Sequence, residues 1–340
     1  MFCSGVLFMS KVDIATRVAL QRDLLGLVEF SICGGISRWK FPAIVVRDAG
    51  EDRGMGVFAA RVLIAGERLI AESPLVHWPN PRASKNAMDV LEGIVSRLDA
   101  TRTKQFWAFG QSTEVYGESV CVKGTWLTNA LPIVYHGQPA TQAQGADGVG
   151  EAAMFLTVSR FNHSCAPSCH YEWNSQLKQM TVHVLRAVAQ GEELTISYLS
   201  PSGRIKSERQ GLLLKDFGFM CTCAKCALTG SALSQSNARQ RAIGDLAPDK
   251  DAEGATMTTS RFGAAPQALL DLLRQEELPG IWARTTFFSA MMGSDRPVYW
   301  AQRLAECLRL AMGSDHPSVE TYASLKTPEA IARRARSTGW

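Results

Sequence analysis

The sequence predicts an α+β fold, because segments with strand patterns and segments with helical patterns occupy different parts of its 340 residues. Strand patterns with tight turns dominate residues 41–72 and 156–200, whereas helical spacing of apolar residues marks residues 82–155 and the chain beyond residue 264. A hydrophobic fraction of 46% is sufficient for a substantial core. We therefore expect small sheets, a helical insert and a helical C-terminal region.

The composition excludes several classes of protein. A net charge of +4 is too small to indicate a nucleic-acid-binding protein by itself. No apolar run approaches the roughly 20 residues of a membrane span, and the N-terminus lacks the basic region of a signal peptide. The nine cysteines are odd in number and clustered, which favours metal binding in a reducing compartment over a disulfide framework. We expect no membrane partner and a location in the nucleus, the cytoplasm or both.

The first part of the chain is predicted as an extension followed by strands. Residues 1–40 form the extension, in which Val12–Phe30 has helical spacing before two glycines interrupt it. Ala43–Val46 and Arg53–Ala59 read as strands. Val62–Glu72 alternates as two strands around a turn at Ala65–Gly66.

The insert, about residues 82–155, is predicted to be helical. Met88–Leu98 and Thr103–Phe109 have helical periodicity. Gln138–Gly150 is rich in Gly, Gln and Ala, which predicts a loop.

Strand patterns return after the insert. His170–Trp173 and Gln179–Val184 flank a turn at Asn174–Ser175 and predict a hairpin. Leu194–Tyr198 is a further strand, with Leu194, Ile196 and Tyr198 on one face.

The last part of the chain is predicted to be mostly helical. Ser207–Phe217 reads as a short helix that ends before a group of cysteines. Residues 231–262 are polar and rich in Ala, Ser and Asp, which predicts a linker. Helical periodicity resumes from Ala264 to Arg336.

Three cysteines in C-x-C-x-x-C spacing, Cys221, Cys223 and Cys226, supply three of the four ligands of a structural zinc site. The fourth must come from elsewhere in the chain. On spacing alone, the candidates are Cys165, Cys169 and His163.

Other polar or flexible positions are ambiguous when each is taken alone. Gly54 and Gly56 are followed by a strand and not a helix, so a dinucleotide-binding loop is excluded; a tight turn and a close approach to a ligand fit equally well. Tyr198 fits a core tyrosine, and Asn162–His163 fits a loop that satisfies backbone groups.

Taken together, these motifs resemble one family. The order Gly54-Met-Gly56, Asn162-His-Ser-Cys165, Glu192-Glu-Leu-Thr-Ile-Ser-Tyr198 and Cys221-x-Cys-x-x-Cys226 resembles SET-domain protein lysine methyltransferases with a post-SET cysteine segment. The long insert is similar to that of the SET-and-MYND-domain subgroup. The insert contains only Cys121, however, and therefore lacks the MYND zinc module, and Phe217 stands where the subgroup often has a tyrosine.

The resemblance implies a SET-type β-clip and a domain organisation. The chain would comprise an N-terminal extension (1–40), a SET domain (41–200, interrupted by the insert), a post-SET zinc segment (201–228), and a linker with a helical C-terminal region (229–340).

The resemblance also implies roles for single residues. S-adenosylmethionine would be the methyl donor, zinc would be structural, and the substrate would be a lysine of a protein, histone or non-histone. Tyr198 would be the catalytic residue at the methyl-transfer pore, Phe217 would line the lysine channel, and Cys165 would be the fourth zinc ligand beside the Cys221 trio, which leaves Cys169 an ordinary buried thiol. The donor would be held by Gly54, Met55, Gly56, Ser159, Asn162, His163, Tyr198 and Phe219.

Two other functions fit the sequence less well. A SET fold with weak or lost catalysis would serve as a protein-interaction module, for which Phe217 and the missing MYND module are the arguments. A zinc-dependent nucleic-acid binder would need clustered basic residues, and here they are scattered, so we expect no direct nucleic-acid partner. We expect the protein to be a monomer.

Overall fold

A computed structural model describes residues 42–50, 53–79, 87–134, 151–199, 203–246, 266–280, 287, 290–291 and 295–338. The extension at residues 1–40 and the predicted loop Gln138–Gly150 lie outside the described residues. Among the helices in the described part of the chain, none has both the length and the apolar character needed to cross a membrane.

The described strands form three small sheets. One has the order β1-β2-β10-β7, the second β3-β9-β8 and the third β4-β6-β5. Neighbouring strands are antiparallel except β10 and β7, which are parallel. The strands are β1 (Ile44–Asp48), β2 (Met55–Ala59), β3 (Arg68–Glu72), β4 (Val76–Trp78), β5 (Leu131–Pro132), β6 (Ala152–Met154), β7 (Asn162–His163), β8 (Cys169–Asn174), β9 (Gln179–Val184) and β10 (Glu193–Ile196).

Helices account for most of the remaining described chain. They are α1 (Ala87–Val95), α2 (Ala100–Trp107), α3 (Thr113–Tyr116), α4 (Val122–Asn129), α5 (Lys206–Phe217), α6 (Ala224–Ala227), α7 (Gly230–Leu246), α8 (Pro266–Gln275), α9 (Pro297–Met312), α10 (Pro317–Ala323) and α11 (Pro328–Thr338). The predicted α+β class is therefore confirmed.

The main core lies between the sheets. Val57, Leu194 and Ile196 are completely or almost completely buried there with Met180 and Val182. β9 is buried on both faces, because its Met180–Val182–Val184 side faces this core while Thr181 and His183 are covered as well. Folding removes this apolar surface from water, and that burial is the main source of stability of the sheets.

Separate apolar clusters attach the helices to the sheets. Leu91, Phe106 and Trp126 of the insert pack with Trp78 and Met154 of the third sheet. Helices α8–α10 form a further cluster, which Ala166 and Leu185 of the sheet region also contact. The helical parts are thus packed against the sheets by burial of apolar surface.

The structure corrects three details of the expected elements. The insert is not entirely helical, because its last residues form β5 and β6, which pair with each other and through β6 with β4. In the segment predicted as two strands at Val62–Glu72, Leu63 makes only an isolated bridge to Val188 before β3 begins. The predicted strand Leu194–Tyr198 ends at Ile196.

The predicted linker at residues 231–262 is wrong over its first half, and the rest lies outside the described residues. Residues up to Leu246 form the 17-residue helix α7. Its apolar spacing is weak, but Ser236 and Gln240 are buried and bind the carboxylate of Glu276. Hydrogen bonds to Glu276, a residue distant in the sequence, stabilise this helix. A local apolar pattern cannot reveal such contacts.

Candidate active site

The Asn162–Cys165 turn lies beside Tyr198 because β7 and β10 pair. Asn162 is aligned with Thr195 and His163 with Ile196 in parallel register. The backbone N–H of Tyr198 donates a 3.0 Å hydrogen bond to Nδ1 of His163, which is 6% exposed. The turn and the tyrosine, which are distant in sequence, therefore form one unit.

Tyr198 has a fixed hydroxyl and an aromatic environment. The hydroxyl donates to the carbonyl oxygen of Phe161 across 2.8 Å. The ring centroids of Phe217, His163 and Phe219 lie 5.0, 5.3 and 6.4 Å from that of Tyr198. Burial raises the pKa of Tyr198 above its usual value, so the hydroxyl is protonated at neutral pH.

Four cysteines converge next to this aromatic group. The sulfur atoms of Cys165, Cys221, Cys223 and Cys226 all lie within 4.8 Å of one another. Cys165 Sγ is 3.9 Å from Cys221 Sγ and 3.6 Å from Cys226 Sγ. Four thiolates around zinc at about 2.3 Å would place their sulfurs about 3.8 Å apart, so these residues fit the ion.

The other two candidates for the fourth ligand stay outside this cluster. Cys169 is 1% exposed within the main core, and its thiol lies 3.9 Å from Ser168 Oγ. His163 contacts Cys165 through Nε2 at 3.3 Å, and its other ring nitrogen is used by Tyr198. Burial, the largest cause, lowers the pKa of His163 to about 4, so the ring is neutral at pH 7.

Helix α5 leads directly into the cysteine segment (residues 218–228), and Phe217 and Phe219 lie where the two meet. Gly218, in the left-handed conformation at φ 76°, ends the helix between Phe217 and Phe219. Gln210 on α5 donates to the carbonyl of Cys221 across 2.8 Å, and Arg209 Nη2 lies 3.8 Å from Cys226 Sγ. The helix and the cysteines are thus held together by side chains that the sequence patterns did not single out.

Gly56 and Asn162 lie against each other, as a shared binding site requires. A Cβ atom on Gly56 would come within 3.1 Å of Asn162 Nδ2 and 2.8 Å of Glu193 Oε1. Asn162 Nδ2 donates to Glu193 Oε1 across 2.8 Å, and Arg53 pairs with the same carboxylate at 2.7 Å. Gly54, at φ 62°, adopts a conformation that favours glycine, and Met55 begins β2.

Ser159 uses its hydroxyl oxygen within its own turn. The oxygen accepts a 2.9 Å hydrogen bond from the backbone N–H of Phe155. Donor binding by this residue stays a prediction, for which the hydroxyl hydrogen remains available.

Two acidic residues support the site and were not assigned a role from the sequence. Glu193 belongs to the Glu192-Glu-Leu motif, which could have drawn attention to it. Glu72 accepts hydrogen bonds from the backbone N–H groups of Thr157 and Val158, each at 2.9 Å, and so supports the turn before Asn162. No sequence motif marks Glu72, because its partners are about 85 residues away.

Comparison with known proteins identifies the domain. Residues 54–199 match the family model described as the SET domain. Histone-lysine N-methyltransferase set5 of Schizosaccharomyces pombe is 30% identical over 177 residues, which are 52% of this chain and 48% of that protein. Histone-lysine N-methyltransferase ATXR4 of Arabidopsis thaliana is 36% identical over 92 residues, covering 26% of this chain and 27% of its own.

A protein with the MYND module is also among the relatives. A SET and MYND domain-containing protein of Dictyostelium discoideum is 34% identical over 73 residues, which are 22% of this chain and 14% of that protein. The chain spans less than half the length of the curated relatives it matches here. The resemblance to SET-domain protein lysine methyltransferases is confirmed for residues 54–199, which match the SET domain, whereas Cys221–Cys226 lies outside the match and its post-SET assignment stays a prediction.

Proposed function

We propose that this protein transfers a methyl group from S-adenosylmethionine to the side-chain amine of a lysine in a protein substrate. The observation that carries the proposal is the juxtaposition of the Tyr198 hydroxyl, the Asn162–His163 turn and two phenylalanines in one partly buried site. The relatives named above, two of which are called histone-lysine N-methyltransferases, support the same activity.

The methyl donor is bound by the elements that flank Asn162. S-adenosylmethionine supplies an electrophilic methyl group on a positively charged sulfur. Asn162 and Ser159 contribute polar side chains, and His163, whose ring nitrogens already contact Cys165 and Tyr198, lines the site as part of the same turn. The backbone of Gly54–Gly56 allows the donor a close approach. Phe219, 6.2 Å from the His163 ring, provides an aromatic face for the adenine.

The acceptor lysine enters beside Tyr198 and Phe217. A lysine has a pKa of about 10.4 in water and must lose its proton before it attacks a methyl group. The apolar surroundings of Phe217 disfavour the charged ammonium and lower that pKa. Tyr198, whose protonated hydroxyl is anchored on Phe161, orients the reacting groups, and alignment supplies much of the rate.

Zinc in the four-cysteine cluster is structural in this proposal. Four thiolates complete a tetrahedral shell and leave no position for a reacting water. Cys165 follows the donor-binding turn, whereas Cys221 follows Phe219 by two residues. A bound ion therefore holds the aromatic residues in register with the donor site.

The substrate class follows from the relatives' names. We propose a histone as the substrate, and with it action in the nucleus, on the strength of the names of the S. pombe and A. thaliana proteins.

The decisive experiment incubates the purified protein and radiolabelled S-adenosylmethionine with core histones and, separately, with a whole-cell lysate. A labelled histone band supports both parts of the proposal. Labelled non-histone bands alone support methyl transfer and contradict the histone substrate, and no label in either sample contradicts the activity.

The second candidate is a protein-interaction module without catalysis. Phe217 favours it, because the subgroup with the similar insert often has a tyrosine at this position. Calorimetry with S-adenosylmethionine separates the two candidates. A methyltransferase binds the donor at micromolar concentrations, whereas a module that has lost catalysis and its donor site shows no heat of binding.

A further inference from the structure

A single buried carboxylate joins the cysteine segment to the C-terminal helices. Glu276 directly follows α8, and its side chain is 0% exposed. A charged group at this depth is stable only when it is paired and hydrogen-bonded.

Glu276 accepts hydrogen bonds from four side chains. Oε1 accepts from Arg239 Nε at 2.6 Å, and Oε2 accepts from Ser236 Oγ at 2.7 Å and from Lys225 Nζ and Gln240 Nε2 at 3.0 Å. Burial by itself would raise the pKa of this carboxyl, but the four hydrogen bonds outweigh it and hold the pKa below the usual value. The carboxylate is therefore ionised and fixed from several directions.

The partners of Glu276 belong to two different parts of the fold. Ser236, Arg239 and Gln240 lie on α7. Lys225, by contrast, stands between Cys223 and Cys226 on the single turn of α6, and its side chain is only 11% exposed. Among these contacts, the Lys225–Glu276 ion pair is the one that reaches into the cysteine segment.

We propose that Glu276, acting through Lys225, is a positioning residue that holds the cysteine segment, and with it Phe219, against the donor site. The inference rests on the proposed function for its effect on donor binding. The segment has little regular structure of its own, since the single turn of α6 (Ala224–Ala227) is its only helix among the described residues from Gly218 to Leu228. A buried ion pair restrains such a segment because breaking the pair leaves an uncompensated charge.

Two matched variants isolate this connection. Lys225→Met and Arg239→Met each remove one cation from the same carboxylate, but only Lys225→Met breaks the link to the cysteine segment. Lys225→Arg keeps the ion pair and serves as the conservative variant that should restore wild-type behaviour. A purely structural role of Glu276 predicts similar results for both methionine variants.

The first measurement is hydrogen exchange, which needs neither donor nor substrate. We expect the peptide that spans residues 217–227 to exchange at least tenfold faster in Lys225→Met than in the wild type, and at the wild-type rate in Arg239→Met and Lys225→Arg. The second measurement is calorimetry with S-adenosylmethionine, for which we expect at least a fivefold increase in Kd in Lys225→Met alone.

The outcomes separate this inference from the proposed function. Equal exchange of residues 217–227 in the two methionine variants overturns the positioning role. A wild-type protein that does not bind the donor contradicts the proposed function, and the exchange comparison still decides whether Lys225 restrains the segment. If Lys225→Met does not fold, Lys225→Gln and Arg239→Gln, which remove the charge and keep a polar side chain, replace the two methionine variants, and faster exchange of residues 217–227 is again expected only for the substitution at Lys225.

Discussion

The hydroxyl of Tyr198 donates a 2.8 Å hydrogen bond to the backbone carbonyl of Phe161, the residue directly before the Asn162–His163 strand. The backbone N–H of Tyr198 in turn donates to His163. These two contacts fix both ends of the tyrosine to the turn that is proposed to bind the donor. Because burial raises the pKa of Tyr198, its hydroxyl acts as a hydrogen-bonding group and not as a base at neutral pH.

The variant Tyr198→Phe tests the role of this hydroxyl. We expect the protein to fold and bind S-adenosylmethionine, with a loss of about 1 kcal/mol in the free energy of unfolding for the hydrogen bond to Phe161. Methyl transfer should fall by about 100-fold or more, because the reacting groups lose their orientation. A radiolabel assay and a denaturant titration measure the two effects.

The matched control is Tyr299→Phe, which removes a hydroxyl from a tyrosine that is 38% exposed on α9. This variant should keep the wild-type rate. If Tyr198→Phe transfers methyl groups as fast as the wild type, the catalytic role of Tyr198 is wrong.

Metal analysis of the pure protein should find about one zinc ion per chain, because the four clustered sulfurs complete a tetrahedral site. Removal of the ion with a chelator should lower the melting temperature and expose the four thiols to a thiol reagent. Cys165→Ser should lower the zinc content, whereas Cys121→Ser should not, since Cys121 is exposed and a serine can also accept the hydrogen bond from Gly124 N–H. A metal-free native protein with all of these thiols freely reactive would rule out the site.

Gly56→Ala should weaken donor binding. Its new methyl group would lie 2.8 Å from Glu193 Oε1, 3.0 Å from Ala49 Cβ and 3.1 Å from Asn162 Nδ2, so Glu193 must shift and disturb its hydrogen bond from Asn162. We expect the Kd for S-adenosylmethionine to rise about tenfold or more in a calorimetric titration, equivalent to about 1.4 kcal/mol.

Gly211→Ala is the control, because nothing lies within 4 Å of its new methyl group on α5. It should leave the Kd unchanged and stabilise the fold by roughly 0.5–1 kcal/mol. Equal Kd values for wild type and Gly56→Ala would contradict a donor site at Gly56.

His183 should make the fold sensitive to acid. Burial, and then the adjacent Arg68, lower the pKa of this 1% exposed ring to about 3, and Arg68 Nε donates to its Nε2 at 3.3 Å. The neutral ring is favoured in the folded state, so the contribution to stability is complete above the unfolded pKa of about 6.5 and is lost as the pH falls toward 3.

The variant His183→Gln measures this contribution, because glutamine accepts a hydrogen bond but does not titrate. Between pH 7 and pH 5, the wild type should lose about 2 kcal/mol more in its free energy of unfolding than the variant loses. Denaturant titrations at the two pH values check this difference. Parallel losses in the two proteins would show that His183 does not titrate as described.

Much of the sheet structure could be predicted, because strand formation follows local apolar alternation and turn residues. The hairpin of β8 and β9 is an example, in which Cys169 pairs with Val184 and Asn174 with Gln179. Helix α7 was missed for the opposite reason. Two of its three buried residues, Ser236 and Gln240, are polar and bind Glu276, and only Ile243 is apolar, so no local apolar pattern predicts the helix.

The sequence by itself determined which chemical groups are present and that they resemble those of a SET domain, because their spacing along the chain is characteristic. Spacing alone left Cys165, Cys169 and His163 open as partners of the Cys221 trio, and the resemblance favoured Cys165. The tertiary structure decided for Cys165, because the pairing of β7 with β10 turns this thiol toward the trio, whereas β8 carries Cys169 into the core. Contacts such as Lys225 with Glu276 and Tyr198 with Phe161 depend on distances in space, and those distances exist only once the sheets and helices have packed together.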